Sequence, residues 1–377
     1  MPKTPSRTRI DAIAGFRLHR HHLLDEFPQN QDAITICRDV CGVQAQVMTA
    51  AYLQLWTRNH AITRAVVEDA LWKSRTLVKT SLMRQTLHLI PTDEFLLYIA
   101  ALRPSRFAQA MRVMDRCGIT RDESEALIPL ILETLSAGPL SRPAIAAAIR
   151  PKASKRVRFW MENSWSLVRL PVAEGLVCYG RGEGNAIVFI RTDHWLPKLK
   201  LKLMPATEAQ CALFRKYLRA YGPATLHDFA HWAGLPMQEV RPLRALVESE
   251  LTVIPGEKKD CLLLREDVEV LKSSAAAKAS IRLLPYFDSY LLAHREKDHL
   301  LSAKRYKRVY RNQGWISPVV LIDGAVAGVW SHKLQGKRLL VEIEPFGKLS
   351  KADRAGIERE AESLAQYYKS APEIRFA

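Results

Sequence analysis

From Asp32 onward the chain alternates short helix signals with pairs of short β-branched runs, and this alternation limits what it can fold into. Ile10, Ile13, Phe16 and Leu18, then Leu23 and Leu24, have near-helical spacing. Asp32 is placed to cap a helix running to Val40, Met48 to Trp56 reads as another, and Glu68 to Lys73 as a shorter one. Thr76-Leu77-Val78 and Thr86-Leu87-His88-Leu89-Ile90 follow as the strands of a hairpin. Helices that end in a two-stranded ribbon follow the plan of a helix-turn-helix carrying a wing.

The plan recurs. Gly138-Pro139-Leu140-Ser141-Arg142-Pro143 opens a helix with proline near its start, Trp160 to Leu170 supplies a second, and Leu176 to Tyr179 with Ala186 to Ile190 form a hairpin across Arg181-Gly182-Glu183-Gly184. A third cycle begins at Tyr221-Gly222-Pro223. Thr225 and Asp228 have capping-box spacing, Gly234 is a helix terminator, Arg241 to Glu250 reads as a helix, and Leu251 to Ile254 with Cys261 to Leu264 as a wing. The cycles start roughly a hundred residues apart, far longer than solenoid repeats, which makes them tandem domains. After the Ser/Ala-rich stretch Ser273 to Ser280 the composition turns β-rich. Val319 to Ile322, Asp323-Gly324 and Val326 to Trp330 make a two-residue hairpin, Leu339 to Ile343 a further strand, and Ser350 to Lys369 a helix with Leu349, Ile357, Leu364 and Tyr367 on one face. The fold class expected is α+β: a basic tip over residues 1–9, winged-helix units over 10–115, 116–204 and 205–272, and a small β-sheet or barrel with a terminal helix over 273–377.

Charge narrows the partners. The chain carries 56 Lys+Arg against 39 Asp+Glu, a formal charge of +17 spread from Arg7 to Arg375, which favours a polyanion and above all nucleic acid over a membrane. Cys37, Cys41, Cys117, Cys178, Cys211 and Cys261 are scattered with no Cys-x-x-Cys, and read as free thiols in a reducing compartment. Cys37 and Cys41 are a helical turn apart without further ligands, and His19, His21 and His22 surround Arg20, which reads as a solvated basic turn rather than a metal site. No apolar leader or 18-residue apolar run appears, so a cytoplasmic, nucleoid-associated protein is expected. The tandem units favour a monomer, and with no metal, nucleotide or flavin motif no cofactor is expected.

One short stretch stands apart. In Gly42-Val43-Gln44-Ala45-Gln46 the two glutamines lie on opposite sides of a helix but on one side of an extended strand, so they converge only where the chain is not yet helical. Alone, such a pair is ordinary polar surface.

Its companions give it weight. Val43 to Gln46, Arg75-Thr-Leu-Val-Lys79-Thr-x-x-Met83-Arg84-x-Thr86-Leu-His88-Leu89, Leu283-Leu-Pro-Tyr-Phe-Asp288-Ser-Tyr-Leu-Leu292, and Val320-Leu-Ile-Asp323-Gly324-x-x-x-Gly328-x-Trp330 together resemble the bacterial winged-helix DNA glycosylases of the AlkZ and YcaQ type. The resemblance runs from about residue 10 through the last sheet. It implies three tandem winged-helix units, a concave surface for double-stranded DNA, and excision of alkylated purines, including unhooking of crosslinks joined through guanine N7. It also implies that Gln44 and Gln46 match the family's catalytic Gln-x-Gln, with Ala45 in place of a larger apolar residue. Arg75, Lys79 and Arg84 are expected on the DNA side. The C-terminal hairpin Ser331 to Arg338, with His332, Lys333, Lys337 and Arg338, is expected to probe the duplex.

Two glutamines suit this chemistry. An amide is no general base at neutral pH, but its carbonyl can orient water and face a sugar cation. A purine alkylated at N7 already carries the positive charge that an ordinary purine must gain by protonation before leaving. Asp288 reads as a structural turn cap before a catalytic carboxylate, His88 as a structural strand histidine, and Trp56, Trp72, Trp160, Trp165 and Trp195 as core. Arg181 to Gly184 lacks a following Lys-Ser/Thr and reads as a hairpin tip. The rival reading is a non-catalytic winged-helix regulator, yet no coiled-coil seam or single recognition helix rich in Arg, Asn and Gln is evident.

Overall fold

Asp32 caps α2 (Ala33–Asp39), its carboxylate accepting from the Thr35 amide at 2.7 Å. The computed structural model describes residues 11–24, 31–163, 168–182, 186–255, 259–276 and 280–377. Ahead of α2 lies α1 (Ala12–Arg20). Behind it Cys41 and Gly42, at φ 55° and 96°, turn the chain into β1 (Val43–Gln44). A Cβ at Gly42 would stand 3.0 Å from the Ile90 methyl at a φ that other residues rarely adopt, so this reversal needs glycine. Then come α3 (Met48–Arg58), α4 (Arg64–Trp72) and the hairpin β2 (Leu77–Ser81) and β3 (Leu87–Pro91).

The second stretch comprises α5 (Phe95–Arg116), α6 (Arg121–Thr134), β4 (Leu140–Ser141), α7 (Arg142–Ile149), α8 (Lys155–Asn163), α9 (Arg169–Ala173), β5 (Val177–Gly180), β6 (Val188–Arg191) and α10 (Thr192–Trp195). The two expected wings are not separate. They fuse into one six-stranded sheet of order β1-β3-β2-β5-β6-β4, joined where Lys79 stands opposite Tyr179. The 22-residue α5 escaped sequence reading because Pro104 interrupts its interior. The helix expected over Trp160 to Leu170 is instead α8, which starts at Lys155, and α9. Residues 164–167, including Trp165, and the 183–185 part of the glycine-rich tip lie outside the described residues.

The third stretch holds α11 (Ala206–Tyr221), α12 (Leu226–Ala233), α13 (Met237–Leu246), the ribbon β7 (Leu251–Ile254) and β8 (Cys261–Leu264), and α14 (Val268–Ser273). The Thr225/Asp228 capping box forms, and Gly234 ends α12 at φ 75°. Helix α13 begins at Met237, ahead of the expected Arg241, because Pro242 lies within the helix and does not open it.

The C-terminal part is a five-stranded open sheet of order β13-β12-β11-β10-β9, with β9 (Ile281–Leu284), β10 (Val319–Ile322), β11 (Ala325–Gln335), β12 (Arg338–Pro345) and β13 (Ala371–Phe376). Short α15 (Ser289–Leu292) and α16 (Tyr306–Val309) lie between β9 and β10. Asp323 and Gly324, at φ 52° and 83°, make the tight turn between β10 and β11. Strand β13 is parallel to β12 because the chain crosses back through α17 (Lys351–Tyr367), capped by Ser350 and Asp353. Ile357 and Leu364 of α17 are fully buried, and Leu53 and Trp56 of α3 pack into the same cluster beside Trp330, whose indole donates to the Leu284 carbonyl at 2.9 Å. Helix α3 therefore stands between the glutamine strand and the C-terminal sheet. Of the histidines at the end of α1, His21 departs from the expected solvated turn: it is fully buried between the rings of Tyr221 and Tyr290, at 4.8 and 5.3 Å. No group of three or more potential metal ligands occurs among the described residues.

Candidate active site

Gln44 ends β1 opposite His88 of β3, and the Ala45 amide still donates to the Leu87 carbonyl at 2.7 Å, so the backbone through Ala45 is strand-like. Helix α3 begins only at Met48. Gln44 thus comes from strand and Gln46 from the bend that leads into α3, so neither glutamine is helical. Gln44 is buried, and Gln46 is exposed with its Oε1 accepting from the Leu87 amide at 3.4 Å.

The backbone beneath Gln44 is held by groups that sequence reasoning did not single out. Gln54, one face of α3, donates from Nε2 to the Gln44 carbonyl at 3.0 Å, and its Oε1 accepts from the Ser289 amide and hydroxyl, both at 3.3 Å. The Ser289 hydroxyl is also within 3.2 Å of the Gly42 carbonyl. Next door, Arg58 clamps Asp288 with two bonds of 2.9 and 2.8 Å, both side chains fully buried, and donates to the Gln54 carbonyl at 2.8 Å. Asp288 also accepts from the Tyr290 amide as the cap of α15. Asp288 and Ser289 therefore buttress the glutamine strand from the C-terminal part. The capping role of Asp288 was legible in the sequence; for Ser289 the only signal was its place in one of the quoted blocks.

Arg84 lies in the turn between β2 and β3, where Arg84 and Gln85 both adopt left-handed backbone at φ 52° and 59°. Its Nη1 donates to the Trp232 carbonyl of α12 at 2.6 Å and its Nη2 to Gln44 Oε1 at 3.4 Å. Burial holds the Arg84 pKa down to about 10. His88 is buried, its Nδ1 lies 2.9 Å from the Thr86 carbonyl, and burial together with the Arg84 and Arg106 charges pushes its pKa to about 3. Exposed His231, beside Trp232, is also lowered, first by partial burial and then by the Lys297 and Arg84 charges. Both shifts favour the neutral ring, most strongly at His88.

Beside Gln46 opens a cavity of about 410 Å³. Ser81, Gln85 and Leu87 of the β2–β3 ribbon, Arg106 of α5, Arg169 of α9, Tyr179 of β5 and Phe189 of β6 line it, and none of its described lining residues is acidic.

The remaining expected DNA contacts fall in different places. Lys79 is half-buried on β2, and burial lowers its pKa to about 8. Arg75, at the far end of that strand, is committed to Trp195: its guanidinium lies 4.2 Å from the ring and donates to the carbonyl at 3.0 Å. On the C-terminal hairpin, Lys333, Lys337 and Arg338 are exposed, Arg338 standing 3.7 Å from Glu373. The His332 ring instead stacks on Trp330 at 5.4 Å and lies 3.1 Å from the Tyr368 hydroxyl.

The helix-rich chain with its C-terminal sheet falls in a class that comparison with known proteins makes explicit. The sequence model of the DNA glycosylase AlkZ-like family matches residues 37–367, and the chain belongs to that family of DNA glycosylases. The interstrand DNA cross-link repair glycosylase of Streptomyces sahachiroi is 31% identical over 363 residues, covering 94% of this chain and 95% of that protein. The solved structure of Streptomyces sahachiroi DNA glycosylase AlkZ superposes with a TM-score of 0.84 at 28% identity, covering 97% of this chain and 99% of that one. Family membership disfavours the regulator reading. No helix among the described residues is long and apolar enough to cross a membrane.

Proposed function

We propose that this chain hydrolyses the N-glycosidic bond of N7- or N3-alkylated purines in duplex DNA and unhooks interstrand crosslinks, with Gln44 and Gln46 at the reaction centre. The observation that carries the reading is the absence of an acid where one would otherwise be needed. The two glutamines are neutral, His88 is held unprotonated, and the cavity beside Gln46 has no carboxylate among its described lining residues. A site of this kind cannot protonate an ordinary purine, so it suits a base that alkylation has already made cationic. The relative named for crosslink repair supports the wider substrate range.

In the reaction the C1′–N bond breaks with both electrons moving to the base, which discharges its positive charge. Glutamine carbonyl oxygens then face the sugar cation and hold the water that adds to C1′, whose proton passes to solvent. An open cavity also suits a crosslinked base, which is tied to both strands and cannot swing freely into a closed pocket. The test is single-turnover release of 7-methylguanine and unhooking of an N7-linked crosslink. Wild type should exceed the spontaneous rate on at least one, and Gln44→Ala and Gln46→Ala should each lose about a hundredfold while binding duplex normally. Wild-type release no faster than background on both substrates would reject the proposal.

A further inference from the structure

Arg106 is the odd member of the cavity beside Gln46. It projects from α5, is only 7% exposed, and its Nε and Nη1 are buried without a hydrogen-bond partner among the described residues. A buried guanidinium with unspent donors is expensive to maintain unless something supplies acceptors. The walls around it, including Leu87, Val172, Tyr179 and Phe189, are mostly apolar or aromatic, which suits a flat heterocycle better than a hydrated phosphate.

We infer that this cavity receives the alkylated guanine itself, with Arg106 donating to its O6. The inference rests on the glycosylase reading above and adds to it the residue that would select a 6-oxopurine. Guanine offers a carbonyl at position 6 where adenine offers an amino group, so a donor-only side chain accepts the first and opposes the second. The contact also strengthens as the bond breaks. Before cleavage Arg106 faces a cationic base. When the C1′–N9 electron pair moves to the purine, the base becomes neutral and its O6 richer in electrons. Arg106 therefore favours the departing base over the bound substrate, which raises the rate rather than the affinity.

The experiment has two arms with Arg106→Met, and with Arg106→Gln if the methionine variant melts early. In the first, single-turnover release of 7-methylguanine and 3-methyladenine from duplexes is measured, each divided by its spontaneous rate. Arg106→Met should lose about ten- to a hundredfold on 7-methylguanine, the worth of one good base-edge contact, and little on 3-methyladenine. Equal loss on both lesions, or none on either, overturns the inference and leaves a phosphate contact or a structural role. The second arm needs no catalysis: binding of free 7-methylguanine and free 7-methyladenine is followed by saturation-transfer NMR. Wild type should bind the 6-oxo base preferentially and the variant should lose that preference; equal binding of both bases, or no binding, again overturns it. Selective binding by a wild type that releases neither lesion would reject the proposed reaction while keeping the guanine site.

Discussion

The Arg84 guanidinium reaches Gln44 Oε1 at 3.4 Å from a turn 40 residues away in sequence. Because Arg84 is itself anchored on the Trp232 carbonyl, it fixes which way the Gln44 amide points. Arg84→Met should therefore lower single-turnover base release by about ten- to a hundredfold, the usual effect of misplacing a reacting group by about an ångström. A double variant with Gln44→Ala should be no slower than Gln44→Ala alone. Additive losses would mean that Arg84 acts on DNA by another route.

Gln54 is the keystone under the same strand. Gln54→Leu removes its bond to the Gln44 carbonyl and leaves buried Ser289 without that partner, at about 1–3 kcal/mol for each unsatisfied group. Denaturant unfolding should show that loss. Arg58→Met strands the fully buried Asp288 carboxylate and should cost more, about 3–5 kcal/mol.

Gly234 ties the third stretch to the site. Its φ is 75°, and an added Cβ would sit 3.0 Å from the backbone nitrogen of Arg84. Gly234→Ala should cost about 1–2 kcal/mol from the left-handed backbone alone. It should also slow base release more than a stability-matched substitution elsewhere, because the Arg84 turn must give way. Equal slowing by the two would show that the α12 contact does not position Arg84.

Much of this was legible in the sequence because the signals were local. Asp32, the Thr225/Asp228 box, Gly234 and Asp323-Gly324 act on their own neighbours, and each forms its cap or turn as the residue types predict. Gln44 sits on the strand ahead of α3 for the same reason, and Gln46 on the bend that follows that strand. What was hidden depends on distant partners. The fusion of two wings at Lys79 and Tyr179, the burial of His21 between Tyr221 and Tyr290, and the Gln54–Ser289 brace each join residues far apart in the chain. Arg106 was invisible because one arginine among many gains meaning only from an apolar cavity. His332 was read as surface because nothing local announced Tyr368.

Lys79 makes a pH-dependent prediction. Burial lowers its pKa from 10.5 to about 8, so the folded protein binds fewer protons than the unfolded chain between those values, and the stability it contributes rises with pH across that window. Contact with a DNA phosphate favours the charged form and acts in the opposite sense. Duplex affinity should therefore weaken as pH rises above about 8, with proton uptake on binding, and Lys79→Arg should remove the effect. Titration calorimetry in buffers of different ionisation enthalpy measures the uptake. No uptake in wild type would place Lys79 away from the phosphates.

The C-terminal hairpin separates its four basic residues by their existing commitments. Lys333 and Lys337 are exposed, so each phosphate contact they make should release counterions and contribute about 0.9 to the slope of log affinity against log salt. Lys333→Gln and Lys337→Gln should each flatten the slope by that amount. Arg338 stands 3.7 Å from Glu373 and must leave it to reach DNA, so Arg338→Gln should weaken binding less. His332 is held by Trp330 and Tyr368, and partial burial lowers its pKa, which favours the neutral ring. His332→Ala should leave the salt slope unchanged and lower the melting temperature through lost packing. If instead it flattens the slope with no loss of stability, the hairpin must rearrange on DNA, freeing the ring from Tyr368 to take up a proton at the phosphates.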